Sequence, residues 1–125
     1  MSQIKQLGRV MVPVSNQDRA IEFYTGKLGF TLAADVPFGD GERWVEVAPP
    51  GGGAALALVP PRGEWGTGRM TGIALETGDA TSAREELASA GVDVDEAIVG
   101  GDGTVPPMFF MRDQDGNSLL VVQTS

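Results

Sequence analysis

The sequence predicts an α+β chain made of two tandem βαβββ units, and three observations carry that expectation. Apolar residues alternate with a period of two in several short stretches and recur at helical spacing in two others. Clusters of glycine and proline separate these stretches. The order then repeats, with Leu28-Gly29-Phe30 matched by Ala90-Gly91-Val92 at an offset of 62 and Arg9 by Gly72 at an offset of 63.

In the first unit, Leu7 to Val14 reads as a strand with Val10, Val12 and Val14 on one face and Arg9, Met11 and Pro13 on the other. Ser15 with Asp18 resembles a capping box, and Ala20, Ile21, Tyr24 and Leu28 follow at helical spacing until Gly29 stops the helix. A strand is expected from Phe30 to Val36, a turn over Pro37 to Gly41, and an alternating strand from Arg43 to Ala48. The segment PPGGG at 49–53 is a turn of high chain freedom, and Ala54 to Val59 is the fourth strand. Pro60 to Arg69 reads as a connector, so that unit one covers about 5–60 and unit two about 70–125 of a single domain.

The second unit begins with a strand from Met70 to Thr77, and Asp79 is a good N-cap for a helix through Ala80, Ala83, Leu87 and Ala90, ended by Gly91. Strands are expected over Val92 to Val99 and Pro107 to Arg112, joined by a GGDG turn at 100–103. Asp113 to Asn117 is a hairpin turn leading into a last strand from Ser118 to Gln123.

Composition narrows the function classes. Nine basic against seventeen acidic residues leave a net charge of −8, a field that repels phosphate backbones and anionic lipid. Nucleic acid and membrane surfaces are therefore poor partners, and the start of the chain lacks the apolar run of a secretory signal, so a cytoplasmic protein is expected. Histidine and cysteine are both absent from the 125 residues. Without them Ser-His and Cys-His nucleophilic arrangements are impossible. The glycine-rich turns carry neither the Lys-Ser/Thr of a phosphate loop nor the strand-to-helix context of a dinucleotide fingerprint, and no cofactor is implied.

Val12-Pro13-Val14, Phe23-Tyr24 with Leu28-Gly29-Phe30, Arg43-Trp44, and Arg112-Asp113 with Asp115-Gly116-Asn117 fall in an order that resembles the vicinal oxygen chelate superfamily. This is the glyoxalase, bleomycin-resistance and extradiol-dioxygenase group, and the resemblance spans nearly the whole chain. It implies curved mixed sheets that form a cleft, a homodimer, and metal ligands pointing inward from the first and last strands of each unit. Those ligand positions read Arg9, Ala57, Gly72 and Leu120 here. None offers the imidazole, thiolate or carboxylate that first-row divalent ions need, so no metal is expected. Glu46 and Glu76 lie on neighbouring inward positions and at most suit a hard ion with water.

Taking the four ligand positions as inward sets the phase of their strands. The ligand-binding set becomes Arg9, Met11, Trp44, Glu46, Ala57, Gly72, Glu76, Phe109, Met111 and Leu120, with Phe109 and Met111 placed by the offset of 63. Trp, Phe and Met walls with small residues leaving space are the usual make-up of a small-molecule pocket. Arg9 either contacts a ligand or pairs with Glu46 or Glu76, and Trp65 either lids the groove or lies in a subunit interface. The expected function is metal-free binding of a small apolar or aromatic molecule without turnover, as in drug-sequestering relatives. The alternatives are a glyoxalase-type lyase or isomerase, or a dioxygenase-like enzyme, and an interaction module without ligand. No catalytic residue is assigned unless the chain is an enzyme. Glu46 and Glu76 would then be its bases, with pKa values raised by an apolar groove.

Overall fold

The computed structural model describes residues 3–124. The chain divides into two compact units, with the boundary between Gly66 and Thr67, inside the expected connector. In the first unit the elements are β1 (Arg9–Pro13), α1 (Gln17–Gly26), β2 (Thr31–Phe38), β3 (Glu42–Ala48) and β4 (Ala55–Val59). In the second they are β5 (Met70–Thr77), α2 (Ala80–Ser89), β6 (Asp93–Val94), β7 (Met108–Arg112) and β8 (Ser118–Gln123). The βαβββ order holds in both.

Each unit builds one four-stranded sheet, ordered β1-β4-β3-β2 in the first and β5-β8-β7-β6 in the second. The pairs β1–β4 and β5–β8 are parallel and the others antiparallel, so both sheets are mixed. One face of each sheet is covered by its own helix. In the first unit Val12, Val45, Val47, Leu56 and Leu58 are buried together with Ala20, Tyr24 and Phe30, whose Tyr24 ring lies 5.8 Å from that of Phe30. In the second, Phe109, Met111, Leu119 and Val121 are buried with Ala80 and Val92.

Local chemistry explains where the elements begin and end. The cap of α1 is Asn16 rather than Ser15: its Oδ1 accepts the Arg19 N–H at 3.0 Å, one residue nearer the helix than the sequence pattern suggested. Asn and Ser are comparable caps, so neighbouring candidates are not separated by type. The helix also stops at Gly26, short of Leu28, and Phe30 N–H returns to the Tyr24 carbonyl at 2.9 Å. Asp79 caps α2 as expected, accepting the Ser82 N–H at 3.0 Å. Gly91 closes that helix with φ of +85°, which lets Val92 N–H reach the Leu87 carbonyl at 2.9 Å.

Two strand expectations change. β2 runs on through Pro37 and Phe38 and leaves only a tight turn at 39–41, because Phe38 still pairs with Glu42. Val92 to Val99 yields only the two-residue β6 and a single bridge from Val99 to Met108.

Candidate functional site

The face of the first sheet opposite α1 carries the candidate site residues of this unit. Register partners share a face, and those on this one are Met11, Ala57, Glu46 and Ala34 in one row and Pro13, Val59, Trp44 and Val36 in the next. Arg9 and Ala55 precede the first row. The sequence-derived residues Arg9, Met11, Trp44, Glu46 and Ala57 are therefore brought together as expected.

Arg9 pairs with Glu46, one of the partners the sequence offered it. Its Nε donates to Glu46 Oε2 at 2.6 Å, and Trp44 Nε1 donates to the same oxygen at 2.5 Å. Because β4 lies between β1 and β3, the Arg9 side chain crosses the sheet to reach Glu46. Ala55 and Ala57 on β4 leave the room, which explains small residues at these positions. The Glu46 side chain is 9% exposed and that of Arg9 59%. The hydrogen bonds from Trp44 and then Arg9 hold the Glu46 carboxyl below its ordinary value, against the opposing effect of burial. This corrects the expectation of a raised pKa: Glu46 is held as an anion, and an anion so stabilised is a weak base.

Beside this triad lies a groove of about 190 Å³. Its apolar walls are Met11, Phe38, Trp44, Val59, Pro60 and Trp65, with Glu42, Arg43 and Arg62 completing the lining. Phe38 packs against Trp44 with ring centroids 5.9 Å apart. Trp65 is presented by a turn in which Arg62 and Trp65 exchange backbone hydrogen bonds of 3.0 and 2.9 Å. Trp65 thus forms one wall of the groove. Gln17, in the first turn of α1, donates through Nε2 to the carbonyls of Arg43 and Leu58 at 2.9 Å each. It thereby ties the backbone beside Trp44 and Val59, two of the groove's walls.

Sequence reasoning missed Phe38, Val59, Pro60, Glu42 and Arg62. Phe38 fell in a segment rich in turn residues, and the others gain their place from pairing rather than from pattern. The signal available for Phe38 was alternation with Val36, which extends β2 by two residues.

In the second sheet Ala74 and Glu76 pair with Leu120 and Val122, so Glu76 and Leu120 share one face as expected. Gly72 lies where the β5–β8 register shifts and has φ of +75°, a conformation that favours glycine. Phe109 and Met111 are corrected. They pair with Val121 and Leu119 and are 1% and 0% exposed, on the face opposite Leu120. Phe110 and Met108 take the open-face positions instead, paired with Leu120 and Val122. The cause is one residue: Glu46 lies eleven positions before its partner Ala57, whereas Phe110 lies ten before Leu120. A slip of one residue transfers a strand's side chains to the other face.

The residues at the ligand positions implied by the resemblance do not fit a metal. Arg9 and Ala57 present a guanidinium and a methyl group, Gly72 and Leu120 nothing that coordinates, and Glu46 already receives two N–H groups on one oxygen. Among the described residues no three His, Cys, Asp or Glu side chains are grouped to hold an ion.

Comparison with known proteins agrees with this architecture. Residues 6–121 match the family described as the Glyoxalase/Bleomycin resistance protein/Dioxygenase superfamily. The chain is 35% identical over 121 residues to the uncharacterized protein YetH of Bacillus subtilis (strain 168), covering 94% of this chain and 98% of that one. It is similar to the crystal structure of TnmS3, an antibiotic binding protein from Streptomyces sp. CB03234, with TM-score 0.85, 33% identity and full coverage of both chains. A superfamily member from Sphaerobacter thermophilus DSM 20745 has TM-score 0.89 and 28% identity, covering 98% of this chain and 100% of that one.

Proposed function

The chain belongs to the Glyoxalase/Bleomycin resistance protein/Dioxygenase superfamily, and on that premise we propose that it binds a small apolar or aromatic molecule in the groove of its first unit, without metal and without turnover. The observation that carries this reading is the groove itself, whose six apolar walls include both tryptophans of the chain. Walls of this kind bury an apolar ligand and stack on a planar one, an arrangement worth on the order of 1 kcal/mol beyond area burial.

Two further observations support binding over catalysis. Glu46, the candidate base on the first sheet, is occupied by Arg9 and Trp44 rather than poised to take a proton. The similar TnmS3 is an antibiotic binding protein, which extends to this chain as an analogy of ligand class.

Because the two tryptophans both line the groove, intrinsic fluorescence reports on the site without a label. Titration with planar aromatic compounds should quench or shift the emission saturably. Trp44→Ala should weaken binding by roughly tenfold or more, since truncating an aromatic anchor commonly costs over 1 kcal/mol. Trp65→Ala, at a half-buried position at the end of its turn, should also weaken it, with a melting curve recorded to show that the fold is retained. Saturable binding that both substitutions leave intact would place the ligand elsewhere and sink the reading.

A further inference from the structure

The groove's ionic groups neutralise one another. Glu42 and Arg62, the two charged side chains of its mouth, are paired at 3.4 Å. Arg43 turns to the helix side, where it meets Asp35 at 2.7 Å and Asp18 at 2.9 Å. The Trp44 indole N–H is engaged by Glu46, which is itself paired with Arg9 at 2.6 Å. The remaining walls are hydrocarbon and aromatic surface. A ligand charge entering this space loses water and meets no unmatched opposite charge, which is costly even where burial is partial. The net charge of −8 adds repulsion for anions at long range, screened beyond about 8 Å at physiological salt.

We propose that the groove selects uncharged planar ligands and that the Glu42–Arg62 ion pair at its mouth is the specificity determinant. This rests on the binding reading above and adds the ligand's charge class to it. Either member of the pair, left alone, presents its charge to whatever occupies the groove. Removing Glu42 should therefore admit anions through Arg62, and removing Arg62 should admit cations through Glu42. Both side chains are solvent-facing, at 40% and 66% exposure, so neither change disturbs the core.

The test uses one scaffold in three charge states, titrated calorimetrically: 2-naphthamide, 2-naphthoate and 2-naphthylmethylammonium. Wild type should bind the amide tightest. Glu42→Gln should move the naphthoate-to-amide affinity ratio toward naphthoate by roughly three- to tenfold, Arg62→Gln should move the ammonium-to-amide ratio toward the ammonium compound by a similar factor, and both shifts should shrink in high salt. An unchanged melting curve for each variant shows that the fold is retained. If the amide binds but naphthoate or the ammonium compound matches it in wild type, the charge selection is wrong while the binding reading stands. Unchanged ratios in both variants would remove the ion pair as determinant. If no member of the series binds, the binding reading fails and this inference with it.

Discussion

Two N–H groups, from Arg9 and Trp44, converge on one oxygen of Glu46, and this arrangement sets the character of the open face. Charge-assisted hydrogen bonds of this kind are about twice as strong as neutral ones, so the indole of Trp44 is held by its edge and presents its ring to the groove. The sign of the pH dependence follows from the lowered Glu46 pKa, set first by Trp44 and then by Arg9. A carboxyl whose folded value lies below its unfolded value of 4.5 contributes stability that is complete above that value and lost as pH falls through the folded one. Asp35 and Asp93, lowered by Arg43 and Arg112, act with the same sign. Tryptophan emission isolates Glu46 from them: on acidification it should change with a midpoint below 4.5, and Glu46→Gln should abolish that transition. Glu46→Gln should also destabilise the fold, by at most about 1.5–3 kcal/mol, the usual worth of hydrogen bonds to a charged group. An emission midpoint well above 4.5 would mean that burial dominates and that Glu46 is available as a base.

At the scale of elements, the β7–β8 hairpin shows how a turn can govern a strand. Asn117 is fully buried, and its Oδ1 accepts the backbone N–H groups of Gly68 at 3.0 Å and Arg69 at 3.2 Å. Its Nδ2 donates to Asp113 Oδ2 at 3.0 Å, while Asp113 Oδ1 accepts from Asp115 and Asn117 N–H at 2.9 and 3.0 Å. Asn117→Ala would strip the acceptor from two backbone donors, and an unsatisfied buried donor costs about 1–3 kcal/mol. A denaturant midpoint lowered accordingly is the expected result; stability within about 0.5 kcal/mol of wild type would show that water replaces the side chain.

The same hairpin marks the limit of what was legible in sequence. Strand and helix order, the Asp79 cap and the Asp113–Asn117 turn were readable because each rests on local periodicity or turn chemistry. The facing of Phe109 and Met111 was not, because it depends on hairpin length, and both alternate positions are equally apolar. Asn16 and Ser15 were inseparable for a similar reason. In the site, the open-face set of the first sheet followed from strand phase, whereas Phe38, Glu42, Arg62 and Gln17 joined it only through pairing between distant segments. No one-dimensional pattern encodes such pairing.

For the whole molecule, two sheets of the same topology and membership of a superfamily that includes dioxygenases coexist with ligand positions that cannot coordinate. On the proposed reading, Arg9 serves as a fixed cation on Glu46, and the groove binds its ligand without a metal. That claim is tested most directly by calorimetric titration of 2-naphthamide into EDTA-treated protein, repeated with Zn²⁺, Ni²⁺, Fe²⁺ or Mn²⁺ added. Saturable binding at one site per chain is expected, with the same affinity in every case and a melting temperature that none of the metals raises. Binding that appears only after a metal is added, or one equivalent of metal retained through dialysis, would contradict it.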